Sequence, residues 1–150
     1  MSDLRELYQS LIIDHGRHPR NFKSLSHANH IKEGFNPLCG DRLTLYLLVE
    51  NDRVVDASFE GAGCAISMAS ASLMTEALKG KTLSEVHHLF GDFHQVVMGQ
   101  SSQLSLDRLG KLAVLQGVSE FPARVKCATL AWHTVIAALD QNVEGQVSTE

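Results

Sequence analysis

Two β-type runs, RLTLYLLVE and RVVDASFE, stand on either side of Asn51-Asp52. No other feature restricts the folding of the chain so tightly. Alternating apolar residues describe strands, and a two-residue Asn-Asp connection leaves room only for a tight turn, so residues 42–60 are expected to form an antiparallel hairpin. The hairpin ends in GAGC, and after Cys64 the pattern changes. AISMASASLMTEALKG is mostly small and apolar with little β-branching, which favours a closely packed helix that stops at Gly80.

Around this hairpin the rest reads as helix and loop. Leu4, Leu7, Tyr8, Leu11 and Ile12 recur at helical spacing, and Gly16 and Pro19 close the pattern, so residues 3–15 are expected to be an amphipathic helix. The stretch 20–40 reads mostly as loop, with a short strand near 30–35. Thr82-Leu-Ser-Glu85 is a capping box, and Leu83, Val86, Phe90, Phe93 and Val97 then run down one face of a helix. After a polar loop, Gly99 to Ser105, Ser105 is expected to cap a short helix through Leu115, with Gly117 ending it and Pro122 blocking its continuation. The last helix is expected from Cys127 to about Asp140, followed by a frayed tail over 141–150. The expected class is α+β: a small antiparallel sheet packed with about five helices. One domain is expected for 150 residues, a size that buries roughly 68–70% of the surface of its unfolded chain without needing disulfides.

Lys and Arg total 13 against 17 Asp and Glu, a net charge of −4, which argues against a broad electrostatic footprint for nucleic acid or anionic lipid. The local basic stretches, Arg17 to Lys23 and Arg124 to Lys126, read equally well as solvated surface. The N-terminus lacks the charged-then-apolar layout of a signal peptide, and no apolar run approaches the ~18 residues needed to span a bilayer, so the expectation is a cytoplasmic protein. Three cysteines, an odd number in a reducing compartment, point to buried, metal-bound or reactive thiols rather than a disulfide framework.

Each cysteine stands at an expected structural transition. Cys39 lies in the turn-prone hexapeptide NPLCGD, Cys64 where strand gives way to helix, and Cys127 at the opening of the last helix. A helix N-terminus lowers a thiol's pKa, so Cys64 and Cys127 are expected to favour the thiolate. Free cysteine is also among the most buried residue types, so plain packing stays open for each. Spacing does not decide between the two, because there is no Cys-x-x-Cys. Three thiolates and Asp41 would supply the four ligands of a zinc site, with Gly40 letting the loop bring Cys39 and Asp41 to one ion. Other signals are set aside. GAGC lacks the Lys-Ser/Thr ending of a phosphate loop. His133 lies about 120° around the helix from Cys127 at ~100° per residue, so the two do not form a nucleophilic pair. His15 and His18 read as solvated or capping residues, His87, His88 and His94 receive no role, and Trp132, Met68 and Met74 read as core or close packing.

NPLCGD, GAGCAISMASAS, RVKCATLAW and DHGRHPRN together resemble the U-type iron–sulfur assembly proteins, the IscU and SufU family, over about residues 3–140. The resemblance implies a compact α+β fold, with Cys39, Asp41, Cys64 and Cys127 gathered as a metal site and a cysteine desulfurase as partner. In the IscU branch the residue before the third cysteine is a histidine; here it is Lys126. Together with Arg124 and the longer stretch from Gly99 to Phe121, this is most similar to the SufU branch, which implies zinc binding and sulfur transfer from a SufS-like desulfurase toward downstream assembly proteins. Within that reading Cys39, on a loop, is the expected sulfur acceptor, and Arg124 is expected to pair with Asp41 or to reach the partner. The alternatives are an IscU-like scaffold for a [2Fe–2S] cluster and, from another class, a binding module with a structural zinc.

Overall fold

The computed structural model describes residues 2–100, 102–140 and 147–148, with only the backbone given for 2–8 and 147–148. Its sheet is built on the expected hairpin. β2 (Asp41–Glu50) and β3 (Arg53–Ala62) pair antiparallel. Asn51 and Asp52 both take positive φ, 54° and 58°, the conformation a two-residue type I′ turn demands. Alternation along β2 sends Leu43, Leu45 and Leu47 into the core, where Ala57 and Phe59 of β3 join them.

A second hairpin lies beside the first. β1 (His30–Asn36) pairs antiparallel with β2 from His30↔Leu47 to Asn36↔Asp41. Pro37 to Gly40 are therefore a four-residue hairpin turn, where the sequence reads as a loop entering the sheet. Gly40 N–H donates to the Asn36 carbonyl at 2.8 Å, and Gly40 has φ 72°, which glycine adopts without strain. The expected frayed tail over 141–150 lies largely outside the described residues. Within it, Val147–Ser148 (β4) run parallel to Gly34-Phe35 on the outer edge of β1.

Among the described residues there are five α-helices, α1 (Ser2–Arg17), α2 (Ala65–Leu78), α3 (Leu83–Val97), α4 (Gln103–Leu109) and α5 (Pro122–Asp140), of which α2 packs on β3 and α5 on β1 and β2. The capping box at Thr82 and Glu85 forms as expected. Small residues let α2 lie close to its neighbours: Ser70 Oγ donates to the Ala128 carbonyl of α5 and accepts from Trp132 Nε1. Trp132 is fully buried and stacks on Phe93 of α3, ring centres 4.5 Å apart. Gly34 of β1 lies against Thr134 of α5 so closely that a Cβ there would collide with the hydroxyl.

Three boundaries differ from expectation. Ser102, not Ser105, caps α4, and the two serines make a reciprocal capping box. The helix ends at Leu109, before Gly110, and a 3₁₀ stretch follows over Gly110–Glu120. Finally, α5 starts at Pro122, because proline's missing N–H is harmless in the first helical turn. Pro122 thus opens a new helix where the preceding 3₁₀ stretch has ended at Glu120, and Cys127 sits in its second turn. No described helix is long and apolar enough to cross a membrane.

Candidate metal centre

The ladder between β1 and β2 ends with the pair Asn36 and Asp41, both fully buried. Both project to the helix-covered face, as Leu43, Leu45 and Leu47 do. The turn between them carries Cys39 at its exposed tip. Asn36 fixes that turn from below: its side-chain oxygen accepts from Leu38 N–H at 3.2 Å, while its amide nitrogen lies 3.7 Å from Cys127 Sγ.

Cys64 is the N-cap of α2, as the strand-to-helix transition implied. Its sulfur accepts from Ser67 N–H at 3.4 Å, and its own N–H donates to Asp41 Oδ1 at 2.9 Å. Its Sγ lies 3.7 Å from Asp41 Oδ2. Asp41 therefore links the β1–β2 turn to the first turn of α2. Gly63 makes that approach possible, because a Cβ at this position would come within 2.7 Å of Asp41 Oδ1.

Cys127 reaches the same point from α5, buried, with its sulfur 3.3 Å from Cys39 Sγ. The ligand atoms of Cys39, Asp41 and Cys127 all lie within 4.8 Å of one another. Cys64 stands beside this triplet, tied to it through Asp41. Cys127 gains nothing from a helix N-terminus, contrary to expectation. Burial first, then hydrogen bonding with Cys39 and Asp41 and the proximity of Cys64, push its thiol well above the usual range. A cation shared by these groups would reverse that cost, since metal coordination favours the thiolate.

The donor set passes a chemical test for such a cation. A fully buried carboxylate is expensive without a counter-charge, and among the described residues no lysine or arginine pairs with Asp41. Three sulfurs and one carboxylate oxygen from three separate segments are the donors and the number that zinc takes.

Other candidates fall elsewhere. Arg124 lies in the first turn of α5, not outside the helix, and its guanidinium stacks over the Phe121 ring, 5.0 Å from the centroid, rather than pairing with Asp41. His15 is neither solvated nor a cap: it is buried within α1, its Nδ1 2.7 Å from Ser72 Oγ of α2. Asn36 and Gly63 belong to the centre, and sequence reasoning passed over both. The signals were present, a buried-face position at the end of β1 and a glycine directly before a capping cysteine.

The profile of the NifU-like N-terminal domain matches residues 7–128. The chain belongs to the NifU-like N-terminal domain family. It is 46% identical over 131 residues to the zinc-dependent sulfurtransferase SufU of Bacillus subtilis, covering 87% of this chain and 88% of that protein. It is 35% identical over 150 residues to the iron–sulfur cluster assembly scaffold protein IscU of Streptococcus pyogenes, covering 100% of this chain and 93% of that one. Among solved structures it is similar to the putative iron–sulfur cluster assembly scaffold protein for the SUF system of Fervidobacterium islandicum. There the TM-score is 0.82, with 35% identity over 90% of this chain and 98% of the other.

Proposed function

We propose that this chain is a zinc-dependent sulfur acceptor that takes persulfide sulfur from a SufS-like cysteine desulfurase and passes it toward iron–sulfur cluster assembly. The observation that carries the reading is the unequal hold on the converging groups: Cys39 is at an exposed turn tip, whereas Asp41 and Cys127 are buried and Cys64 is fixed as a helix cap. The name of the Bacillus relative agrees with it.

Cys39, Asp41, Cys64 and Cys127 would hold the ion. When bound, zinc keeps the coordinating sulfurs deprotonated at neutral pH. The chemistry of transfer belongs to Cys39. Its thiolate attacks the outer sulfur of the partner's persulfide, a new S–S bond forms on Cys39, and the old one breaks, with the electron pair leaving on the partner's cysteine thiolate. Turn placement lets Cys39 enter a partner's pocket, and the buried groups keep the site assembled meanwhile. Arg124, exposed and about one helical turn before Cys127 on α5, is the group we assign to partner contact. Three free thiols are kept as such in a reducing compartment, so the cytoplasm is the location that goes with this reading.

The IscU-type scaffold reading is favoured by the full-length similarity to the Streptococcus protein and opposed by Lys126, whose protonated amine offers iron no lone pair. A purely structural zinc is opposed by the core: the buried cluster runs from Leu43 to Ala138 without the centre's four groups. The test is metal content and persulfide mapping on the full chain with a SufS-like desulfurase and cysteine. About one zinc per chain and sulfur on Cys39, both lost in the matching variants, support the reading. Zinc-free wild type, or sulfur on Cys127 with Cys39 untouched, sinks it.

A further inference from the structure

The Cys39 and Cys127 sulfurs are 3.3 Å apart. That is closer than the roughly 3.8 Å kept by two thiolates on a tetrahedral zinc with Zn–S near 2.3 Å. It is still beyond the ~2.05 Å of a disulfide. One of the two can make up the difference, because Cys39 sits on a four-residue turn next to Gly40, whose α-carbon faces open space. Cys64 has no such opportunity: its sulfur is engaged by Ser67 N–H and Asp41, and it stands outside the tight group.

We infer that Cys127 is a resolving thiol for a persulfide on Cys39, which gives the chain a second activity: reduction of the bound sulfane sulfur to hydrogen sulfide with closure of a Cys39–Cys127 disulfide. The inference rests on Cys39 being the sulfur acceptor. Of the two sulfurs of a Cys39 persulfide, the inner one, Sγ, is the atom beside Cys127. Attack there, with the nearby Asp41 carboxylate drawing the proton off Cys127 as its sulfur closes, forms the Cys39–Cys127 bond and breaks the bond from Sγ to the outer sulfur. The outer sulfur departs with the electron pair, takes up the proton given up by Cys127 and leaves as hydrogen sulfide. It is the better leaving group, being the anion of a stronger acid than a cysteine thiol. Two thiol-level sulfurs are oxidised and one sulfane sulfur is reduced, so no outside oxidant or reductant enters. Metal occupancy then sets the fate of the sulfur. With Cys127 committed as a ligand the persulfide waits for a recipient; with Cys127 free it is discharged as sulfide, and the turn is locked by the disulfide until a thiol reductant reopens it.

The test uses the full chain, stripped of metal by a chelator or reloaded with zinc, and loaded with persulfide by inorganic polysulfide. No desulfurase takes part, so failure here is separable from failure of the acceptor reading, which is tested with the desulfurase. Metal-free wild type is expected to evolve about one sulfide per persulfide and to yield linked Cys39 and Cys127 peptides, roughly tenfold or more faster than Cys127→Ser or the zinc-loaded protein. Peptide mapping of the wild type needs no variant to fold. Equal persulfide lifetimes in metal-free wild type and Cys127→Ser, or a disulfide joining Cys39 to Cys64, would overturn the inference.

Discussion

Gly63 gives the sharpest test of how the centre is held. It precedes Cys64, its φ is not in the left-handed region, and alanine is therefore acceptable to the backbone. The space is not. A Cβ would stand 2.7 Å from Asp41 Oδ1 and 3.1 Å from its Cγ, and separations under 3.0 Å do not occur. The carboxylate must retreat by about 0.3 Å at the least, which exceeds the ±0.2 Å tolerance of metal–ligand distances. Asp41 has little freedom to do so, being fully buried and bonded to Cys64 N–H. Gly63→Ala is therefore expected to lower zinc affinity by roughly 10–100-fold, the range seen when groups supporting a ligand are altered, or about 1.4–2.8 kcal/mol. Gly40→Ala is the counterpart. There φ is +72° and no atom lies within 4 Å of the added carbon. That variant should lose about 1 kcal/mol of stability from backbone strain and bind zinc nearly as well as wild type. Competition against a chromophoric chelator reads the affinity, and urea melts of the metal-free chains read the stability. Wild-type affinity in Gly63→Ala, with a normal melt, would refute the claim that the glycine exists to admit the carboxylate.

Trp132 fills the junction of α2, α3 and α5, so Trp132→Ala should cost about 3–5 kcal/mol in urea melts, and Trp132→Phe much less. His15 is held below its ordinary value of 6.5 by burial first and by Arg20 next, with Lys111 adding to them and Glu76 and Asp14 opposing. The unfolded chain then takes up the proton first as pH falls. Stability should be full above about pH 6.5 and decline below it, and His15→Gln should flatten that part of the pH profile while leaving the carboxylate-driven loss at lower pH. His133, also lowered by burial and by His94, contributes in the same direction and would keep part of the slope. Lys126→His adds a neutral imidazole beside Cys127, a ligand iron accepts, and should lengthen the life of a cluster reconstituted anaerobically. A wild-type cluster already stable enough to pass intact to an apo-ferredoxin would favour the scaffold reading instead.

The parts of the fold that were legible in the sequence are those decided by a few adjacent residues. Asn51-Asp52 can close a hairpin in few ways, and Thr82 with Glu85 meets its own helix within one turn, so both were readable locally. The β1–β2 hairpin was not. HIKEGFN carries little alternation, because its inner face includes Gly34, small to admit Thr134 from a helix 100 residues later. The start of α5 was misread because a proline after a helical stretch also suits the first turn of a new helix, and only packing chooses between them. Burial of His15 follows from α1 lying on α2, and the role of Gly63 from Asp41 lying across from it; neither contact is local.

The same division runs through the centre. The four groups proposed for it each sit in a distinctive motif, yet motifs do not say how firmly each is held. That depends on the secondary element behind it. Cys127 rides on α5, the longest of the described helices, and Cys64 is bound to α2 by its own capping bonds. Asp41 is locked into a ladder on one side and to the α2 cap on the other. Cys39 alone is carried by a turn, whose support from Asn36 reaches Leu38 N–H and Gly40 N–H but no atom of Cys39 itself. An ion held by all four would be anchored by three of them. The weakest-held of the four is therefore also exposed, and displacing it toward a partner disturbs neither the sheet nor a helix. A sulfur carrier needs that asymmetry, and a site built for structure alone would have no use for it.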